Sequence, residues 1–319
     1  MNEFIIINKY FKSLAKNNAS SLNLSDDIYY NSKKKIAISI DTYVEGVHFF
    51  NSLNPKKFLK KVLRSSLSDL YCKGIKPQSY FLSLALNKKH ANDRWLKKFQ
   101  SILRSEHNKF KIKLSGGDTT ASSKLVITLT IIGFSKYKPI LRKGSSNNDD
   151  IYVTGNIGDS YLGLSVIKKR INLGKYNNFF KKKYYEPDIP IKISPYLKRI
   201  ASSSIDISDG FVQDLGHLCR ESKCGALVDL SKIPLSKQSK YVLSSRNKDI
   251  KEIFSNGDDY QILFTSNRKN RKKIIALSKL INLKISKVGK MNKQKNISFN
   301  NKGNKIRFTG KKMGYTHIF

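Results

Sequence analysis

The stretch KKKIAISIDTYVEGVHFF, residues 33–50, decides how the rest of the chain is read. Residues 35–41 alternate like a half-buried β-strand and stop at a carboxylate, Asp41, with Glu45 and His48 just beyond. A period of two sets Ile36, Ile38 and Ile40 on one face and Ala37, Ser39 and Asp41 on the other. The expectation is that the isoleucines bury and that the Ser39–Asp41 face presents polar groups at the strand end. Acids are scarce here. The 319 residues carry Lys+Arg 61 against Asp+Glu 23, a formal net charge of +38, so an acid in an apolar setting needs a chemical reason.

The charge itself has two readings. A nucleic-acid binder or a protein of anionic ligands is one. The other is a lysine-, isoleucine- and asparagine-rich composition of the kind an AT-rich genome produces. The lysines are spread along the whole chain, with no RNP, zinc-finger or basic-zipper pattern, which favours the second. No specific nucleic-acid partner is expected, although the field should speed the arrival of phosphorylated substrates. No apolar run is long enough to cross a bilayer, so no membrane partner is expected. EFIIINKYF reads as an amphipathic first helix and not as a signal peptide. Cys72, Cys219 and Cys224 show no CxxC spacing and suit a reducing, cytoplasmic setting.

The length suits two domains, or one large α/β unit. Residues 1–17 read as a helix, and LNLSDDIYY as a loop into a short strand. LNPKKFLKKVLRSSLSDLYCKG reads as a helix with Asn54 as N-cap, Pro55 in the first turn and Gly74 as the stop. Its buried stripe is Phe58, Leu59, Val62, Leu63, Leu67 and Leu70. Residues 78–86 form a strand, DRWLKKFQSILRSEH a helix, FKIKL a strand running into SGGDTT, and KLVITLTIIGF a longer strand. SKYKPILRKGSSNNDD is a connector. The expected division is residues 1–140 and 148–319. The second unit opens on IYVTG, continues through a helix over 159–171, a lysine-rich excursion at 172–198, SIDISDG before the helix FVQDLGHLCRES, and the strand after SNGDDYQ. It ends in a β-like tail, GYTHIF.

Five acidic spots share one design, a carboxylate at the end of a strand or helix beside Gly, Ser or Thr: Asp26–Asp27, Asp41, Asp69, Asp118, and Asp206 with Asp209. Asp69 stands in the last turn of its helix, where the helix dipole disfavours a negative charge. It is either a turn acid, solvated or paired with Lys73, or a metal ligand, because a bound dication reverses that sign. Taken alone, GGD around Asp118 reads as a turn and DISDG as a helix N-cap. Hard carboxylates with few histidines suit Mg²⁺. No GxxxxGK[ST] segment is present, and TGNIGDS is only a glycine-bearing strand-to-helix turn.

SDD (25–27), AISIDTYVEGVHF (37–49), SLSDLYCKGIKP (66–77), GGDTT (116–120), IYVTGNIGDSYLGL (151–164), SIDISDGFVQDLGH (204–217), NGDDYQILFT (256–265) and GYTHIF (314–319) together resemble the thiamine-monophosphate kinase family, within the aminoimidazole ribonucleotide synthetase-like superfamily. The resemblance covers essentially the whole chain. It implies an α/β (α+β) fold in which N-terminal domains of a homodimer build a joint β-barrel and each C-terminal α/β domain packs against it. It implies ATP-dependent phosphorylation of thiamine phosphate in the cleft between domains. By the same resemblance, Asp27, Ser39, Asp41, Asp69, Asp118 and Asp206 gather several Mg²⁺ ions, with the Ile40 carbonyl and Asp209 as further ligands. Gly117, Asp118, Arg142 and Ser208 would contact ATP, and His48, Asp258 and Tyr315 thiamine phosphate. No catalytic base is nominated, because an acceptor phosphate oxygen is already anionic. Outside the resemblance, His48 between Val47 and Phe49 reads as a core histidine and Tyr315 as a terminal aromatic.

Departures from the family pattern touch loops: LNLSDD lacks the glycine-rich lead, Asn256 replaces a glycine, Asp258 stands where Glu is frequent, and GYTHIF replaces GYDHF. Rival readings are another enzyme of the superfamily, above all a purine cyclo-ligase, and a basic nucleic-acid-binding pseudo-kinase. The pseudo-kinase reading conflicts with acids at every expected metal position.

Overall fold

Two alternating apolar patterns build two sheets, and one long helix is pressed between them. The computed structural model describes residues 1–245, 249–308 and 313–319. The first sheet holds β1 (Tyr29–Asn31), β2 (Ile36–Val44), β3 (Pro77–Leu86), β4 (Lys113–Ala121) and β5 (Val126–Phe134) in the order β1-β2-β5-β3-β4. β3 and β4 run parallel, joined by a helical crossover, and the other neighbours are antiparallel. Residues 3–11 begin with a four-residue helix, α1 (Glu3–Ile6), and continue as a wider turn.

α2 (Leu59–Cys72) and α3 (Asp93–Phe110) cover one face of this sheet. The Asn54 side chain accepts from the Lys56 amide at 3.2 Å, Pro55 opens a single 3₁₀ turn, and α2 follows. The expected stripe is buried, and so are Lys61 and Arg64, because α2 touches elements of both sheets and has almost no solvent face. Arg64 is neutralised by Glu106 of α3, at 2.7 and 2.9 Å.

The faces of β2 are the reverse of the sequence expectation. Ala37, Ser39 and Tyr43 are buried, whereas Ile40 is 67% exposed. Register explains this: Ser39, Asp41 and Tyr43 stand opposite Ile131, Leu129 and Ile127, the β5 residues that face α2. Ile36, Ile38 and Ile40 stand opposite Phe134, Ile132 and Thr130 on the other face. That face carries exposed Ile40, Phe81 and Phe134. The inner strand positions are small or polar because α2 lies close over them.

GGD is not a turn. It lies inside β4, where Gly117 pairs with Leu82 so closely that a Cβ would sit 1.8 Å from the Leu82 carbonyl oxygen.

The second sheet runs β12-β11-β8-β10-β6-β9-β7, with β6 (Asp150–Thr154), β7 (Ser203–Asp206), β8 (Gly225–Asp229), β9 (Ile262–Ser266), β10 (Ile285–Asn292), β11 (Ile297–Asn301) and β12 (Asn304–Ile306). α4 (Asp159–Ile167), α7 (Phe211–Ser222), α8 (Lys237–Ser245) and α9 (Ile250–Phe254) pack with Ile151, Val153 and Leu263 in one core. α6 (Ser194–Ile200) and α10 (Arg271–Leu280) pack with Tyr152 and Phe264 in another, which also takes in Cys72 of α2. The lysine-rich excursion at 172–198 folds into α5 (Asn177–Tyr185) and the start of α6, with Phe180 and Tyr184 buried. The tail does not join a sheet. It returns to the first residues, where Asn2 bridges Ile318 and Glu3 N–H donates to His317 at 3.2 Å.

Candidate active site

Four carboxylates from four different elements meet beside the C-terminus of α2. β2 supplies Asp41, the last turn of α2 Asp69, the end of β7 Asp206, and the loop before β1 Asp27 with Asp26 next to it. Ligand atoms of Asp27, Cys72 and Asp206 lie within 4.8 Å of one another. Burial, then Asp41, Asp206 and Asp27, push the Asp69 carboxyl well above the usual carboxylate range. Burial and then Asp27 raise Asp206 to about 7. Asp41 is raised too, chiefly by burial, although Tyr43 donates to it at 3.2 Å.

Asp27 behaves differently. Burial would raise it, but Arg142 and Lys73 outweigh that and hold it well below its ordinary value. Lys73 Nζ lies 2.9 Å from Asp26 and 2.7 Å from Asp27 and also donates to the Ser204 carbonyl at 2.9 Å. The Arg142 guanidinium bonds Asp27, and its backbone N–H donates to Asp26 at 2.7 Å. Lys73 is therefore not a partner of Asp69. It clamps the 26–27 loop against α2 and β7.

Ser39 adds a telling detail. Its Oγ is buried on the same strand face as Asp41 and has no hydrogen-bond partner among the described residues. A buried hydroxyl left unpaired beside mutually repelling acids fits a hard cation, for which oxygen donors and negative charge are the right set. Asp27, Ser39, Asp41, Asp69 and Asp206 are thus brought together. Ile40 is adjacent in β2, with its side chain on the opposite face.

Asp209 opens α7 close by and belongs to a second acidic group with Asp214 and His217, ligand atoms again within 4.8 Å. Burial raises Asp209 to about 7, even though Gln213 donates to it at 2.9 Å. Asp214 accepts from the amides of Asp209 and Gly210 at 3.2 and 3.1 Å, a helix-start cap. His217 Nδ1 takes a bond from Arg220 at 2.6 Å, so this group is held by hydrogen bonds. Ser208 accepts from the Asp258 amide at 2.9 Å, which links the site to the next loop.

A third group lies at the other end of α2. Lys61, buried, reaches Asp258 at 2.8 Å, donates to the His48 carbonyl at 3.1 Å and sits 4.0 Å from the centre of the Tyr184 ring. His48 Nε2 is 3.3 Å from His317 Nε2, and His317 Nδ1 is 3.4 Å from the Tyr315 hydroxyl. Tyr315 N–H donates to the Asp209 carbonyl at 3.0 Å, and Gln213 donates to the Tyr315 carbonyl at 2.6 Å. The tail thereby ties the second acidic group to the third. Glu45 serves the loop: it takes bonds from Ser52 and from the Leu125 amide.

Gly117 and Asp118 are not gathered. They lie on the exposed edge strand β4, three strand spacings from β2, or about 14 Å. Asp118 Oδ1 accepts only its neighbour's amide, Thr119, at 2.8 Å among the bonds described.

This two-sheet arrangement is shared with known proteins. Residues 20–135 match the AIR synthase related protein N-terminal domain, and residues 147–300 the corresponding C-terminal domain. The thiamine-monophosphate kinase of Buchnera aphidicola subsp. Schizaphis graminum is 38% identical, with 99% of each chain covered. The chain belongs to the thiamine-monophosphate kinase family. The Escherichia coli K12 member is 35% identical over 84% of each chain. Among solved structures, AaThiL complexed with AMPPCP and TMP superposes with a TM-score of 0.85 at 24% identity, covering 99% of this chain and 97% of that one. Escherichia coli HypE shares the fold at a TM-score of 0.68 and 16% identity, over 86% and 85%.

Within this kinase-family fold, sequence reasoning gave Lys61, Gln213 and His317 no role and set Lys73 against the wrong acid, Asp69. The two lysines are buried in a chain with 61 cations, and nothing in composition singles them out. Their one signal is position: Lys61 sits beside the apolar stripe of α2, and Lys73 directly before its stop glycine.

Proposed function

We propose that this chain transfers the γ-phosphoryl group of ATP to thiamine phosphate, giving thiamine diphosphate and ADP. The observation that carries the reading is the mutual approach of Asp27, Asp41, Asp69 and Asp206, in a chain with few acids, with the buried Ser39 hydroxyl two residues from Asp41 on the same strand face and unpaired among the described residues. Asp27, Ser39, the Ile40 carbonyl, Asp41, Asp69, Asp206 and Asp209 would hold Mg²⁺. When bound, the ions supply neutralisation of phosphate charge, without which two phosphorylated molecules repel each other. Arg142 and Ser208 stand where ATP would be contacted, with Arg142 able to offer a fork to phosphate once drawn from Asp27. Lys61, His48, Asp258 and Tyr315 line the place of thiamine phosphate. An oxygen of its phosphate attacks the terminal phosphorus of ATP, and the bond from that phosphorus to the bridging oxygen breaks. The chain's part is to bind, orient and exclude water.

Residues 1–140 and 148–319 would be the two domains, and the setting cytoplasmic. The exposed apolar face of the first sheet, with Ile40, Phe81 and Phe134, favours a homodimer whose two sheets close a barrel. Gly117 and Asp118, remote from the acids of their own chain, would serve a site shared with the second copy. The test is product analysis with ATP, Mg²⁺ and thiamine phosphate, beside Asp69→Asn. Thiamine diphosphate formed by the folded wild type and lost in the variant upholds the reading. A folded wild type that makes none overturns it.

A further inference from the structure

His48 and His317 form a chain of hydrogen bonds whose direction is fixed by a backbone amide. The Val44 N–H donates to His48 Nδ1 at 3.0 Å. That nitrogen must therefore carry a lone pair, and the neutral ring keeps its proton on Nε2. His48 Nε2–H then points at His317 Nε2, 3.3 Å away, which must accept. The His317 ring in turn keeps its proton on Nδ1, and this faces the Tyr315 hydroxyl oxygen at 3.4 Å. The phenol oxygen is engaged as an acceptor, so its own hydrogen is directed elsewhere.

The surroundings keep His48 neutral. Burial, followed by His317 and Lys61, pushes His48 down to about 4. The three rings also hold one another in place: His48 and His317 lie 5.1 Å apart between centres, and Tyr315 meets His317 edge-on at 5.0 Å. The Tyr315 carbonyl and amide are fixed by Gln213 and Asp209, while its side chain remains 47% exposed.

We propose that Val44, His48 and His317 are positioning groups that make Tyr315 an obligate hydrogen-bond donor to an acceptor atom of thiamine phosphate. This deepens the functional reading given above and rests on it. His317, which no motif argument selected, becomes a specificity-determining residue. It sets the polarity of the hydroxyl that meets the substrate.

The first test needs no turnover. Long-range ¹H–¹⁵N spectra of the full chain at pH 7 report which imidazole nitrogen is protonated. Expected are a bare Nδ1 on His48 and a protonated Nδ1 on His317; the opposite tautomer at either ring overturns the proposal. The second test is kinetic. Tyr315→Phe keeps the ring and removes only the donor, so KM for thiamine phosphate should rise about fivefold while KM for ATP moves less than twofold. His317→Ala should raise the same KM, and His317→Asn, which keeps a donor near Nδ1, should recover part of it. A Tyr315→Phe enzyme with an unchanged KM for thiamine phosphate refutes the donor role. Absence of any thiamine diphosphate from the wild type would remove the functional reading, while the spectra would still decide the tautomers.

Discussion

Lys73→Met tests whether a cation holds the metal-free site together. The side chain is buried and contacts Asp26, Asp27 and the Ser204 carbonyl, all within 2.9 Å. Methionine fills nearly the same volume, so packing changes little and the charge is what is lost. Removing one partner of a buried ion pair costs about 3–5 kcal/mol, because the other charge remains buried. Arg142 still faces Asp27, which places the expected loss near the middle of that range, about 4 kcal/mol. Urea unfolding with a chelator present measures it. The reasoning makes a second demand. Mg²⁺ supplies positive charge to the same acids, so adding it should stabilise the variant more than the wild type and narrow the gap. A variant within about 1 kcal/mol of wild type, or equal stabilisation of both by Mg²⁺, would refute the account.

Further outcomes follow from the same geometry. Asp206 and Asp209, both raised to about 7 with burial as the main cause, keep protons in the folded chain that the unfolded chain releases near pH 4. Without metal, stability should therefore fall as pH rises from about 4 to 7, by at most about 1.4 kcal/mol per pH unit for each group. Asp206→Asn should flatten that slope in thermal melts, and a level wild-type profile would contradict it. Gly117→Ala must push a methyl against the Leu82 carbonyl and should loosen the β3–β4 pair, seen as a raised KM for ATP and faster amide exchange along β4. If the proposed homodimer forms through the exposed sheet face, Phe81→Glu should shift light scattering from twice 36.4 kDa towards 36.4 kDa, and a wild type already at 36.4 kDa would refute that dimer. Mixing inactive Asp118→Asn with inactive Asp69→Asn should restore about a quarter of wild-type turnover if the sites are shared between copies; no recovery on mixing under exchange conditions would place Asp118 elsewhere.

Much of the fold was legible because periodicity and punctuation agreed. Asn54, Pro55 and Gly74 framed α2, and strand alternation located β2, β3 and β5. What failed did so for physical reasons. Alternation says that two faces differ but not which one a helix will cover, and large isoleucines lost the inner face of β2 to Ala37 and Ser39 because α2 sits close. The glycines of GGD suggested a turn, yet Gly117 serves a tight strand contact. The acids at 27, 41, 69 and 206 stood out because acids are rare in this sequence. Lys61 and Lys73, and His317 in its contact with His48, meet neighbours supplied by distant segments, and local pattern carries no trace of such pairings.

α2 carries Lys61 near one end and Asp69 near the other, eight residues apart, or about 12 Å along the axis. Wedged between two sheets, this rod cannot stretch or slide without unpacking both cores. Under the proposed site assignment it works as a ruler, holding the donor end and the acceptor end of the reaction at a set separation. Adapting this scaffold to a longer or shorter acceptor would then require edits to the loops at residues 44–50 and 256–260, because the measuring element itself offers no slack.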